Sequence, residues 1–178
     1  MKFLAAAVQM LAADDKAANL AEAEHWLRDA ARRGARLVVL PEVFIWRGTK
    51  KLERAFAEPI VGPTSKKLAG LARELNLFLL GGSILEEIPG SEKAYNTSLL
   101  FNPSGNLLAT YRKIHLFDVD LANGVSLRES ESRAHGGDVV VAQTALGTMG
   151  LSVCYDLRFP ELYRELADKG AQLIFVPS

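Results

Sequence analysis

Short, wholly apolar runs that alternate with segments of helical period constrain this chain more than any other feature. Residues 37–40 (LVVL), 77–80 (LFLL) and 173–176 (LIFV) carry no polar side chain, the mark of strands buried on both faces of a sheet. Ahead of the first run, Leu20, Ala23, Leu27 and Ala30 recur at three- and four-residue spacing, with Asp14 or Asp15 placed to cap the helix they define. Arg32, Arg33 and Gly34 end that helix, and Pro41 stops the strand that follows. With a first strand over 3–9, this is one βαβ unit. A second helix follows Thr64, burying Leu68, Leu71, Ala72 and Leu75 and ending at Asn76.

From Tyr95 the pattern changes. Residues 96–101 and 107–112 flank the turn cluster 102–105 and predict a hairpin, and 139–144 with 149–153 predict a second pair joined through Gly147. Between the pairs lies a loop over 114–137, a length that usually serves function. A helix over 159–169, opened by Pro160 and closed by Gly170, leads to the last strand. No repeat or linker divides the 178 residues, which read as one α/β domain.

Charge and composition narrow the function. Lys plus Arg number 21 and Asp plus Glu number 21, so no global field draws nucleic acid or an anionic membrane, and a small-molecule partner fits better. No run of 18 apolar residues predicts a membrane span. Lys2 and the apolar residues 3–8 imitate a short signal peptide, but Gln9 interrupts the run and a core strand explains the same letters. The one cysteine, Cys154, cannot form an internal disulfide, which suits a reducing, cytoplasmic setting.

Three residues that can do chemistry directly follow or close a predicted strand: Glu42, Lys113 and Cys154. Ligands of open α/β sheets bind beyond strand carboxyl ends, so residues far apart in sequence can converge there. Taken singly, Glu42 reads as a solvated carboxylate, Lys113 as a surface charge and Cys154 as a small buried hydrophobe. Cys154, however, sits between a strand and the helix opened by Pro160, the layout of a nucleophile elbow. Backbone N–H groups there, the following helix and Lys113 are expected to favour thiolate. A thiol–imidazole pair using His115 ranks second; His25 and His135 mark no site. No metal cluster or phosphate loop is recognisable: Gly81 and Gly82 are too few, and ligand spacing is lacking, so neither metal nor organic cofactor is expected.

The combination resembles the nitrilase superfamily of carbon-nitrogen hydrolases through LVVLPE at 37–42, YRKIHLFD at 111–118 and GLSVCYDLRFPELYR at 150–164, supported by GGSI at 81–84 and NTSLLFNPSG at 96–105. The run CYDLRFPELYR is most similar to the branch of small amidases that includes omega-amidase and deaminated-glutathione amidase. The resemblance implies an α-β-β-α sandwich and a Glu42, Lys113, Cys154 triad that hydrolyses a small linear carboxamide to carboxylate and ammonia. Cys154 would be the nucleophile, Glu42 the proton carrier and Lys113 the oxyanion partner, with the Tyr155 backbone N–H completing the oxyanion hole. Glu129, in SLRES, matches a second glutamate beside the lysine and would orient it; Arg158 reads equally as a substrate contact or a helix-start ion pair. A homodimer through 160–167 is implied as well. The family chain continues past the strand written here LIFVPS, so the sandwich is expected to be incomplete at this end. The strand over 173–176 would then be a sticky edge. The competing reading is a non-catalytic remnant or an interaction module that pairs through that edge.

Overall fold

In the computed structural model, which describes residues 2–120, 124 and 126–178, the helices and strands expected from the sequence appear in order, with further short elements between them. They are β1 (Leu4–Ala7), α1 (Lys16–Arg32), β2 (Ala35–Val39), α2 (Lys50–Glu53), α3 (Pro63–Glu74), β3 (Phe78–Leu80), β4 (Ile84–Glu87) and β5 (Ala94–Phe101). There follow β6 (Leu107–Arg112), β7 (Asp118–Asp120), β8 (Ser126–Arg128), β9 (Arg133–Ala134), β10 (Val141–Thr144), β11 (Gly147–Leu151), α4 (Pro160–Asp168) and β12 (Leu173–Phe175). Asp15 is the cap of α1, its carboxylate accepting the Ala18 N–H at 3.0 Å. At the start of α3 the cap position is Gly62, which has no side chain. Glu58 substitutes, accepting from the Thr64 N–H at 2.8 Å and its hydroxyl at 2.9 Å.

In the larger sheet β1, β2 and β3 run parallel, and β5 lies antiparallel to β3. The long β5 is the hub: β3 and β4 share one edge, while β6 (antiparallel) and β9 (parallel) share the other. A smaller sheet orders β10-β11-β12, and β7 pairs with β8 as a separate hairpin. Side chains of the larger sheet alternate between two cores. Val38, Leu79 and Leu99 pack beneath α1 and α3, against Leu27 and Leu71. Leu37, Leu80, Leu100 and Tyr111 meet Met149, Leu151 and Val153 of the smaller sheet. Leu162 and Leu166 of α4 close the far side, with Leu166 against Gly150. The order is helix, sheet, sheet, helix, the expected sandwich.

Three expectations need amendment. The 114–137 loop contains the β7–β8 hairpin and β9, and its residues 121–123 and 125 lie outside the described residues. β4 had no sequence signal, because Glu86 looks solvated; it is buried against Arg112, at 2.5 and 2.8 Å, and the Thr97 hydroxyl. Lastly, β12 is covered on one face only: Phe175 is buried but Ile174 is 39% exposed, the alternation of a half-covered strand. Among the described residues no helix is long and apolar enough to cross a membrane.

Candidate active site

Glu42, Lys113, Glu129 and Cys154 line one cleft of about 250 Å³, together with Trp46 and Arg47. Glu42 leaves β2 just past Pro41, and the chain turns so sharply there that Val43 takes φ 44°. The β3–β4 turn holds this bend: Ser83 accepts the Val43 N–H at 3.0 Å and its own N–H reaches the Pro41 carbonyl at 3.3 Å. Gly82, at φ 55°, lies so close that a Cβ would sit 1.9 Å from the Pro41 oxygen. Lys113 follows β6, its N–H on the Asn96 carbonyl at 2.9 Å and its carbonyl on the Gly136 N–H at 2.8 Å.

Lys113 is 1% exposed, so its ammonium depends on partners. Its Nζ lies 3.0 Å from Glu42 Oε1 and 2.9 Å from Glu129 Oε2. Burial opposes the charge, but Glu42 and Glu129 outweigh it and hold the lysine above its ordinary value. Glu129, for its part, is pushed up by burial and down further by Arg133 and Lys113, and ends below the usual carboxylate range. Arg133 Nη1 is 2.6 Å from Glu129, the Phe117 N–H donates to it at 2.6 Å, and Arg133 is itself paired with Glu53. Asn96 completes the array, donating to Glu42 at 2.8 Å and to Glu129 at 3.4 Å. An ammonium carries three N–H donors. Two of those on Lys113 point at carboxylates, which leaves one for a ligand.

Cys154 begins the 3₁₀ turn Cys154–Arg158 and adopts φ 47°. A non-glycine residue in that region is strained, and such strain concentrates where a side chain must project from a tight turn. The elbow layout expected from the sequence is therefore present. The expected preference for thiolate is not. Burial and then the Glu42 charge push the Cys154 thiol up, against the opposing pull of Lys113. The thiol is thus held toward its protonated form, with the Glu42 carboxylate beside it.

Tyr155 follows the elbow and packs edge-on against Phe117, centroids 4.9 Å apart. His115 is not among the residues that line the cleft: its Nδ1 lies 2.7 Å from Asp156 and its ring stacks on Phe159 at 3.6 Å. The structure gives the thiol–imidazole pair no support in the cleft. Arg158 is exposed and lies outside the cleft lining. Sequence reasoning missed Asn96, Arg133 and Glu53. Asn96 had a signal, as the first of the polar triplet Asn96, Thr97 and Ser98 that opens a predicted strand; Arg133 and Glu53 sit in charge-rich stretches that look solvated. Among the described residues, no group of three or more His, Cys, Asp or Glu could hold a metal ion.

Residues 4–178 match the family described as carbon-nitrogen hydrolase. The human omega-amidase NIT2 is 40% identical over 175 residues, which is 98% of this chain and 63% of that protein. Deaminated glutathione amidase of Synechocystis sp. is 43% identical over 181 residues, 99% of this chain and 66% of that protein. A point mutant of the amidase from Nesterenkonia sp. AN1, solved after Michael addition of acrylamide at its active-site cysteine, superposes with a TM-score of 0.80 at 26% identity, covering 96% of this chain and 65% of that one. The chain thus spans about two thirds of the length of these relatives. It belongs to the carbon-nitrogen hydrolase family, the nitrilase superfamily that its motifs resemble.

Proposed function

We propose that this chain carries the reaction centre of a thiol amidase, which hydrolyses a small linear carboxamide to carboxylate and ammonia. The observation that carries the reading is the buried Lys113, held between Glu42 and Glu129 in the cleft that also receives Cys154. Support comes from the amidases among its relatives and from the Nesterenkonia enzyme's acrylamide adduct on cysteine.

An amide carbon is a poor electrophile, so the difficult step is divided in two. Glu42 takes the Cys154 proton as sulfur attacks the carbonyl carbon. A protonated thiol next to a carboxylate is the ground state this step requires. The negative charge that develops on oxygen meets the remaining Lys113 N–H and the Tyr155 backbone N–H; loss of one such donor typically costs about 2.7 to 4 kcal/mol of transition-state stabilisation. As the tetrahedral centre collapses, Glu42 delivers its proton to nitrogen and ammonia leaves. Water then attacks the thioester, Glu42 accepting its proton and returning it to the departing sulfur. Glu129 keeps Lys113 in place, and Arg133 balances the second carboxylate. Neither metal nor organic cofactor enters this scheme.

Copies pairing through 160–167, as the resemblance implies, would meet across Glu161, Arg164 and Glu165 on the outer face of α4. Sedimentation of the chain beside an Arg164→Glu variant checks it.

The function is tested by ammonia release from a panel of small amides, with wild-type chain beside Cys154→Ala and mass spectrometry of the quenched enzyme. Release that falls at least about a thousandfold in the variant, with an acyl group on Cys154 in wild type, is expected. Silence from folded wild-type protein would overturn the reading and favour the interaction module.

A further inference from the structure

We propose that Asp156 is a positioning residue that fixes the oxyanion partner Lys113 against the nucleophile Cys154. The proposal rests on the function argued above.

Asp156 is fully buried, and its carboxylate accepts from four donors on two stretches of chain. Oδ2 takes the Tyr111 hydroxyl at 2.7 Å and the Val153 N–H at 2.8 Å. Oδ1 takes the His115 N–H at 3.0 Å and lies 2.7 Å from His115 Nδ1. A carboxylate only accepts, so Nδ1 is the protonated nitrogen of that pair. Burial and the Asp156 charge both push the Tyr111 hydroxyl far up, which keeps it a donor.

These partners bracket the chemistry. Tyr111 and His115 stand two residues to either side of Lys113; Val153 precedes Cys154, and Asp156 follows it by two. The chain bends at residues 114 and 115 just past β6, with the Ile114 N–H turned back onto the Tyr111 hydroxyl at 3.3 Å, so Tyr111 and His115 anchor the lysine from either side of it. Phe159, stacked on His115 at 3.6 Å, ties the exit of the elbow to the same segment. His115 and Asp156 are 41 residues apart in the chain, and Lys113 and Cys154 stand on different sheets. The carboxylate therefore joins two parts that the backbone does not hold in register. A buried carboxylate is costly unless every lone pair is used, and here the four donors are the ones whose placement fixes the lysine and the sulfur.

A merely structural plug would predict general damage on removal. A positioning role predicts selective damage, confined to steps that need sulfur and Lys113 at the same moment. Three readouts separate the two on wild type, Asp156→Asn and Tyr111→Phe. The first is kcat and KM for the best carboxamide. The second is inhibition by the matching aldehyde, which adds sulfur to its carbonyl carbon and places an alkoxide at the lysine. The third is the rate of reaction with methyl methanethiosulfonate, from which the thiolate takes a methylthio group and expels sulfinate, with no oxyanion.

The expected result is a fall in kcat of about a hundredfold for Asp156→Asn and about tenfold for Tyr111→Phe, matched by the loss of aldehyde affinity. KM and the methylthiolation rate stay within about threefold of wild type. A parallel fall in all three readouts, or no change in any, overturns the positioning role. Tyr111→Phe removes one hydroxyl and decides the matter should Asp156→Asn fail to fold. Wild-type protein that neither hydrolyses amides nor binds the aldehyde overturns the amidase reading and this one with it; active wild type with unaffected Tyr111→Phe overturns this one alone.

Discussion

Cys154 illustrates how a residue's reactivity departs from its neighbourhood in sequence. Burial and then the Glu42 charge raise the thiol, so methylthiolation of wild type should rise with pH through an inflection above the usual thiol value of about 8.5. In Glu42→Gln that inflection should move down, making the thiol several-fold more reactive at pH 7.5 while amide hydrolysis is lost; rate measurements from pH 6 to 10 check both. Glu129 gives a prediction about stability. Its folded form resists protonation, so the unfolded chain binds more protons as pH falls through the unfolded value of about 4.3. The stability its ionisation confers is complete above that value and lost as pH falls through the lower folded one. Urea unfolding of wild type and Glu129→Gln should therefore differ most near neutrality and converge in acid. Glu42, Lys113 and Cys154 were legible because each ends a strand, where side chains converge whatever the sheet order. Arg133 and Glu53 were not, because a charge run gives no sign that one of its members will pair, largely out of solvent, with a member of another run far away in the chain. The ionisation of Cys154 was misread for a related reason: desolvation and the approach of Glu42 arise only from tertiary packing.

The elements hold these side chains through two strained bends, one at Val43, braced by the β3–β4 turn, and one at Cys154, whose N–H is held by the Pro177 carbonyl at 2.9 Å. At the first, Gly82 permits a backbone approach that no other residue allows. Gly82→Ala should cost about 2 to 4 kcal/mol in chemical denaturation and lower kcat by displacing Glu42. Ser83→Ala is milder: it orphans the buried Val43 N–H, a loss of about 1 to 3 kcal/mol. Helices and central strands were legible from period and caps, down to Asp15 and Asn76, the latter at φ 55°. β4 and β9 were not, since their polar residues pair with groups distant in sequence, Glu86 with Arg112 and Arg133 with Glu53; nor were β7 and β8, whose Asp120, Ser126 and Arg128 pair locally and read as a solvated loop.

At the scale of the whole molecule, the two cores carry different duties. The core beneath α1 and α3 supports one sheet, whereas the core between the sheets sets the separation of Glu42 and Lys113 from Cys154. Leu27→Ala and Leu151→Ala remove equally buried leucines, and each should cost about 2 to 5 kcal/mol. Only Leu151→Ala should lower kcat of the folded protein, measured well below its melting temperature. The same division has a consequence for synthesis. Every strand of the larger sheet, and all three charged partners, are encoded before the elbow. A ribosome adding about 5 to 20 residues per second exposes the acid and lysine cradle for a few seconds before the thiol exists. The Cys154 thiol thus emerges only after the Glu42 and Lys113 side chains that it faces have been made.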